Sequence, residues 1–313
     1  MTGSPRIWLL AASAILPWGA SFIANKLALR ELGPANLSFY DWLVGTAFLC
    51  VYVVVTRRRP PIWETLRRQP LIFVAMALFL IPIPYLLQNF ALQRTTVINV
   101  SILLDSDPVF LVLLGALLLR EHVTWIQAAG VATALIGTAV ITLNGGSIDL
   151  TSSDVVGSLM ALCAALSLSV YSILAKVALR QNRAFVTALL TAGLGTALLL
   201  LPAWAEGLSW PGNWSASIWL AILFLGIACS GWGVLAWFRI LNELDASRAA
   251  PLVFFIPLVA VTLSILFLKE QPTIHTLVGA ALIFGGVVMG ERGARNNGPR
   301  RTDVEPVQSV ERA

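Results

Sequence analysis

The stretch Pro108-Val-Phe-Leu-Val-Leu-Leu-Gly-Ala-Leu-Leu-Leu-Arg-Glu121-His-Val-Thr124-Trp-Ile-Gln-Ala-Ala-Gly130, continuing to Gly137, has a counterpart later in the chain. Shifted by 149 residues, Pro108 falls on Pro257, Arg120-Glu121 on Lys269-Glu270, Thr124 on Thr273, Gly130 on Gly279 and Gly137 on Gly286. Pro82 and Pro84 fall on Gly231 and Gly233 at the same shift, so helix-weakening residues coincide. Toward the N-terminus the shift becomes 150, pairing Lys26-x-Ala-Leu-Arg30 with Lys176-x-Ala-Leu-Arg180 and Gly45-Thr46-Ala47 with Gly195-Thr196-Ala197. Pro, Lys and Glu are scarce in this chain, so their agreement at one shift marks an internal repeat.

Composition says what the repeat is made of. Of 313 residues, 58% are hydrophobic and 12% are charged, and the mean hydropathy is +0.81. A soluble domain carries about 25% charged residues. A water-soluble core of this length could not enclose so much apolar surface. A soluble enzyme, a disordered chain and a nucleic-acid binder are excluded, which leaves a helical protein that crosses the membrane many times. The net charge of +5 resides in short clusters between apolar runs, as orientation signals do. Cys50, Cys163 and Cys229 lie far apart inside apolar runs and read as packing residues. His122 and His275 fall at the ends of runs, without metal-ligand spacing, so no metal and no cofactor are expected.

A spanning helix needs about 20 apolar residues. Ten runs qualify: 7–25, 37–56, 69–93, 96–119, 122–148, 155–175, 184–205, 217–238, 249–268 and 271–290. Only 37–56 and 96–119 are interrupted by acids, at Asp41 and at Asp105 and Asp107. The runs are continuous rather than alternating, which favours helices over barrel strands. The expected fold is therefore all-α, with ten transmembrane helices in two five-helix repeats at 7–145 and 154–291, and a disordered polar tail at 293–313. The first run resembles a signal peptide in its leading Arg6 and its Ala-x-Ala-like small residues, but it is 19 residues long, has a counterpart in the second repeat and is kept as a span.

Five spans per repeat turn the second repeat over relative to the first, the arrangement of secondary transporters. With both termini on one side, 17 of the 21 Lys and Arg residues fall on that side. The positive-inside rule then expects both termini in the cytoplasm of a bacterial-type inner membrane.

The Pro108…Glu121…Gly130…Gly137 stretch resembles the end of an EamA domain, and so does Phe255-Ile-Pro257…Lys-Glu270…Gly279…Gly286. Trp18-Gly19-Ala-Ser-Phe…Lys26 is similar to the opening of that domain. Two such domains in tandem make up the drug/metabolite transporter superfamily. The resemblance implies a ten-helix basket with cytoplasmic termini and a central cavity lined mainly by helices 1, 3, 4, 6, 8 and 9. It also implies export of amino acids and other small metabolites, or carriage of sugar phosphates and nucleotide sugars in eukaryotic branches. Many members carry Arg early in span 2, where this chain reads Phe39-Tyr40-Asp41-Trp42-Leu43.

Several residues are candidates for substrate binding or coupling. Asp105 and Asp107 fall near the middle of span 4, where a carboxylate costs roughly 3 kcal/mol on translocon scales. Pro108 removes a backbone donor beside them and lets the helix open. They either anchor a cation, accept a proton, or pair with Lys26, Lys176 or Arg239. Repeat two has Phe254 and Ile256 at these positions, so the acids are an addition to the repeated scaffold. Lys26 and Lys176 either snorkel to the interface or line the cavity. Asp41, four or five residues into its span, is expected in the solvated interface. Tyr85, Gln88 and Asn89 lie within about one turn of span 3, as interhelical glue or as substrate hydrogen-bonders. Trp18 and Trp232 are candidate aromatic walls. Pro82, Pro84, Pro108, Gly231, Gly233 and Pro257 are candidate helix breaks and hinges. Glu121 and Glu270 read as structural caps at short turns. Gly130, Gly137, Gly279 and the Gly286-x-x-x-Gly290 pair permit close helix packing, and a homodimer face is the alternative use.

The reading favoured on these grounds is a secondary transporter, not an enzyme, that exports a small metabolite such as an amino acid or amine. Its partners are the small-molecule substrate and the bilayer, with protons as a possible coupling ion; nucleic acid is excluded. No GxxxxGK[ST] motif is present for ATP. The alternative is a membrane enzyme acting on a lipid-linked substrate, which calls for a dense cluster of acids, His or Arg at one interface; the basic loop 57–68 reads better as an orientation signal. A passive channel lacks its ring of polar residues.

Overall fold

A computed structural model describes residues 5–57, 60–118, 123–143, 152–243, 252–253 and 255–296. Eight helices are long and apolar enough to cross a bilayer, and two shorter apolar helices complete a set of ten among the described residues. We label them α1 (Pro5–Ala28), α2 (Pro34–Val55), α3 (Pro70–Arg94), α4 (Val97–Leu117), α5 (Trp125–Leu143), α6 (Ser153–Ala178), α7 (Ala184–Ala205), α8 (Ala216–Trp237), α9 (Phe255–Leu268) and α10 (Ile274–Asn296). A seven-residue helix, Ile62–Arg68, precedes α3.

The helix starts are written locally. Pro34 and Pro70 occupy first-turn positions, where a missing N–H leaves nothing unsatisfied. Thr96 caps α4 by accepting from the Asn99 N–H at 3.1 Å, and Ser215 caps α8 through the Ile218 N–H at 3.4 Å. The helix irregularities follow Pro and Gly. α3 is interrupted at Ile81, just before Pro82 and Pro84. α4 is interrupted at Asp105-Ser106, after which a second segment starts at Asp107 with Pro108 in its first turn. α8 is wound as a π-helix over Phe224–Gly233, the stretch holding Gly226, Gly231 and Gly233. α9 ends in a π-turn, Ser264–Leu268, and Lys269 takes a left-handed conformation (φ 54°) that reverses the chain. α10 stays helical to Asn296, past the expected start of the polar tail at 293; residues 297–313 lie outside the described residues, as do Glu121, His122 and Phe254.

The two repeats meet in reciprocal contacts. A Cβ added to Gly130 on α5 would lie 2.5 Å from the Gly286 carbonyl oxygen of α10, and one on Gly286 would lie 2.4 Å from the Gly130 oxygen. The equivalent pair exchanged between repeats behaves alike: a Cβ added to Gly137 would lie 2.6 Å from the Gly279 carbonyl oxygen, and one on Gly279 would lie 2.7 Å from that of Gly137. As the residue number rises along α5 the partner's number falls along α10, so these equivalent helices pack antiparallel. Gly45 of α2 packs against Ser230 of α8, and its equivalent Gly195 of α7 packs against Ile81 of α3, the equivalent of Ser230. A twofold axis perpendicular to the helices relates the halves, which is the geometry of an inverted repeat. The Gly286–Gly290 pair is used inside the molecule, against Gly130.

Candidate functional site

Polar side chains that join the repeats gather at the ends of α1, α3, α7 and α9, on the face opposite the N-terminus. The Glu206 carboxylate, just past α7, accepts from the backbone N–H of Ala35 (3.3 Å) and Asn36 (2.8 Å) at the start of α2. It also accepts from the Asn36 Nδ2 at 2.8 Å. Gly33 allows this approach, since any Cβ there would overlap the carboxylate. Asn36 and Tyr40 extend the clamp to the loop after α7. The Ser209 N–H donates to Asn36 Oδ1 at 2.8 Å, and the Tyr40 hydroxyl donates to the Ser209 carbonyl at 2.6 Å.

Glu270 repeats the device at α4. Its two carboxylate oxygens accept from the N–H groups of Val97 (3.0 Å) and Ile98 (3.2 Å), and one also accepts from the Ser264 hydroxyl at 2.6 Å. Carboxylates at helix N-termini satisfy orphan donors and face the positive end of the helix dipole. Glu270 is expected to cap its own short turn; it does so through Ser264, and the left-handed Lys269 also carries it across to α4. Lys26 completes this corner by donating to the carbonyls of Leu92 and Thr95 (2.7 Å for Thr95) at the end of α3. Thr95 in turn donates to Asp154, and Thr276 of α10 donates to Asn99 Oδ1 at 3.2 Å.

Lys26 therefore does not meet the acids of α4. Asp105 ends the first half of α4, and its Oδ2 is buried without a hydrogen-bond partner. The adjoining Ser106 hydroxyl is also buried without a partner. The Asp107 carbonyl accepts from Ser169 of α6 at 2.7 Å, which ties the break to the other repeat. The ion pair found among the described residues is Arg68–Glu64, on the surface. Two carboxylates thus sit at a broken helix, and among the described residues no ion pair reaches either.

A second polar cluster lies between α2, α3 and α8. Asp41 is 3% exposed, and its Oδ1 accepts from the Ser230 hydroxyl at 2.8 Å. Placing Asp41 in the solvated interface is therefore corrected. α2 begins at Pro34, three residues before the apolar run 37–56, and the π-wound stretch of α8 covers the side chain. Trp42 and Tyr85 meet edge to face with centroids 5.2 Å apart. Asn89, 1% exposed, donates from Nδ2 to the Ser38 hydroxyl at 2.9 Å. The Trp42 Nε1 and Asn89 Oδ1 are buried without partners. Gln88 is half-buried beside them.

Trp18 and Trp232 support α8. Trp18 Nε1 donates to the Cys229 carbonyl at 3.1 Å, and its ring meets Trp237 edge-on at 5.8 Å. Trp232 Nε1 donates to the Ser13 hydroxyl at 3.1 Å, with the Arg239 guanidinium 5.3 Å from its ring centroid. Lys176 lies exposed in the last turn of α6. Pro257 is buried in α9. The sequence marked Asp105, Asp107, Tyr85 and Asn89; what it did not show was that Asp41, Glu206 and Glu270 reach another repeat or helix, since no local pattern encodes a partner 170 residues away.

The sequence signature of the EamA-like transporter family matches residues 6–143 and again 155–290. The chain is 30% identical over 284 residues to a protein of Archaeoglobus fulgidus named an uncharacterized transporter, covering 90% of this chain and 96% of that one. It is 29% identical over 305 residues to a probable terminal-alkyne amino-acid exporter of Streptantibioticus cattleyicolor, covering 97% and 98%. Against a probable amino-acid metabolite efflux pump of Escherichia coli the identity is 25% over 301 residues, covering 92% and 95%. Two signature matches that coincide with the two antiparallel halves, and near full-length similarity to proteins named transporters, place the chain in the EamA-like transporter family as a multi-pass membrane transporter.

Proposed function

We propose that this transporter is a secondary exporter of small metabolites, amino acids or amines, in a bacterial-type inner membrane with both termini cytoplasmic. It works by alternating access around a cavity between the repeats. The observation that carries this reading is the break of α4 at Asp105-Ser106, where buried oxygens of both residues lack partners. Unsatisfied polar groups at an unwound helix are where transporters hold substrates and coupling ions. Two carboxylates there suit a positively charged group, either the substrate's ammonium or a proton.

The conformation supports the same cycle. Glu206 and Glu270 from repeat two hold the first turns of α2 and α4 of repeat one, so the face opposite the termini is latched. Opening that face separates each carboxylate from its helix, and the released charges become hydrated. The relatives named for amino-acid export supply the substrate class.

Counterflow in proteoliposomes tests the proposal. Vesicles loaded with an unlabelled amino acid should take up the same radiolabelled compound, without ATP, for at least one member of an amino-acid and amine panel. Absence of exchange for the whole panel, with the protein inserted and folded, contradicts it.

A further inference from the structure

The cluster around Asp41 lies apart from the broken α4. Asp105 sits on a helix that packs mainly against α6 and α9, whereas Asp41 faces Tyr85 of α3 and Ser230 of α8. Four polar side chains meet there from three helices. Asp41 accepts from Ser230. The Tyr85 hydroxyl is flanked by Ser230 and Trp42, with Asp41 and Cys229 nearby. No Lys or Arg reaches this carboxylate among the described residues. A buried carboxylate with one neutral hydrogen-bond donor is far from compensated. In addition, the Trp42 Nε1, which approaches the Tyr85 hydroxyl without a hydrogen bond of good geometry, and the Asn89 Oδ1 in the same α2–α3 seam are buried without partners. Buried unsatisfied groups of this kind call for a polar occupant. Here the acceptors are a carboxylate and an amide oxygen, and the donor is an indole N–H. That set is complementary to an ammonium group beside a carboxylate.

We propose that Asp41, Trp42, Tyr85 and Ser230 form an amino-acid subsite, in which Asp41 takes the substrate's ammonium group and Trp42 Nε1 faces its carboxylate. The inference rests on the exporter reading above and chooses between the two uses it left for the α4 carboxylates: the substrate's ammonium goes to Asp41, and the proton is left to Asp105 and Asp107. The subsite lies just over two turns into α2, below the Glu206 latch, so an occupant is shut off from the latched face. The π-wound stretch of α8 supplies its movable wall. A π-helix carries strained hydrogen bonding and recurs at functional sites, and Ser230 leaves with it when α8 shifts. The second repeat has Thr191 at the position equivalent to Asp41, so the subsite belongs to one side of the pseudo-twofold and gives the substrate a fixed orientation.

The test is thermal-shift binding with the purified full chain and each common L-amino acid in turn as probe, with the N-acetyl form of every amino acid that binds. A ligand that prefers the folded state raises the unfolding temperature. At least one amino acid should stabilise the wild type, and its N-acetyl form, which lacks the ammonium, should not. Asp41→Asn keeps an oxygen for Ser230 and should weaken apparent affinity about tenfold or more, the loss expected when a buried charge partner is removed. Ser230→Ala, which alters the opposite wall, should weaken it by a smaller factor. The surface control Glu64→Gln should bind as the wild type does. Equal binding of the N-acetyl form, or wild-type affinity in both Asp41→Asn and Ser230→Ala, overturns the proposal while leaving exporter activity in counterflow intact. If no amino acid is bound or exchanged by the wild type, the exporter reading fails and the subsite falls with it.

Discussion

Thr46 of α2 and Thr196 of α7, equivalent residues of the two repeats, share a hydrogen bond of 2.8 Å between their hydroxyls. A residue can touch its own counterpart only where a twofold axis passes between them. The axis therefore runs between α2 and α7, and the same operation accounts for the exchanged pairs Gly130–Gly286 and Gly279–Gly137. Tyr52 meets Phe185 with ring centroids 5.9 Å apart farther along the same two helices, in antiparallel sense. Repeat one is thus turned over against repeat two by contacts as well as by sequence.

The glycine seam sets the closeness of α5 and α10. Gly137→Ala should lower stability by about 1–3 kcal/mol, since its Cβ meets a backbone carbonyl that cannot move alone. Gly285→Ala, whose Cβ meets nothing within 4 Å, should be neutral or gain up to about 1 kcal/mol from helix propensity. Thermal unfolding in detergent distinguishes them; equal effects would contradict the packing.

Removing a latch should loosen one face. Glu270→Ala leaves the N–H groups of Val97 and Ile98 without their carboxylate, at a cost of about 1–3 kcal/mol. The consequence to measure is the rate at which a small impermeant thiol reagent, applied from the latched face, modifies the buried Cys229. With Cys50 and Cys163 replaced by serine, Glu270→Ala and Glu206→Ala should both accelerate it.

Asp105→Asn should separate stability from transport. An unpartnered buried carboxylate oxygen destabilises the fold, and an amide of the same shape costs less. Unfolding temperature is expected to rise while counterflow falls by tenfold or more. A fall in both would mean that Asp105 is a structural residue, and an unchanged exchange rate would remove it from the transport site.

Trp18→Phe tests the support of the π-wound stretch. It deletes the bond to the Cys229 carbonyl and should cost about 1 kcal/mol, visible as a lower unfolding temperature.

What was legible in the chain is what local chemistry encodes. Runs of about 20 apolar residues gave the ten helices, and Pro82 and Pro108 marked the breaks in α3 and α4, although the α4 break itself falls at Asp105-Ser106, ahead of the proline. The shift of 149–150 residues gave the repeat because Pro, Gly, Lys and Glu recur at matched places. The depth of Asp41 was not legible. Burial there depends on Ser230, 189 residues away, and on a π-winding that no spacing announces. Nor does any spacing around Glu206, just past the run 184–205, announce its role: its partners, Ala35 and Asn36, belong to the other repeat. Lys26 and Lys176 show the limit of repeat reasoning. They are equivalent in sequence, yet Lys26 caps the end of α3 while Lys176 lies exposed near the end of α6.

The inverted repeat, on which alternating access depends, is tested most directly by labelling two equivalent loops. Arg30→Cys, just past α1, and Arg180→Cys, just past α6, are both exposed positions and can be placed singly in a chain whose native cysteines are replaced. In intact cells an impermeant maleimide should label the variant at position 30 and leave that at position 180 unlabelled until the membrane is opened. Labelling of both from the same side would contradict the inverted architecture and the carrier built on it.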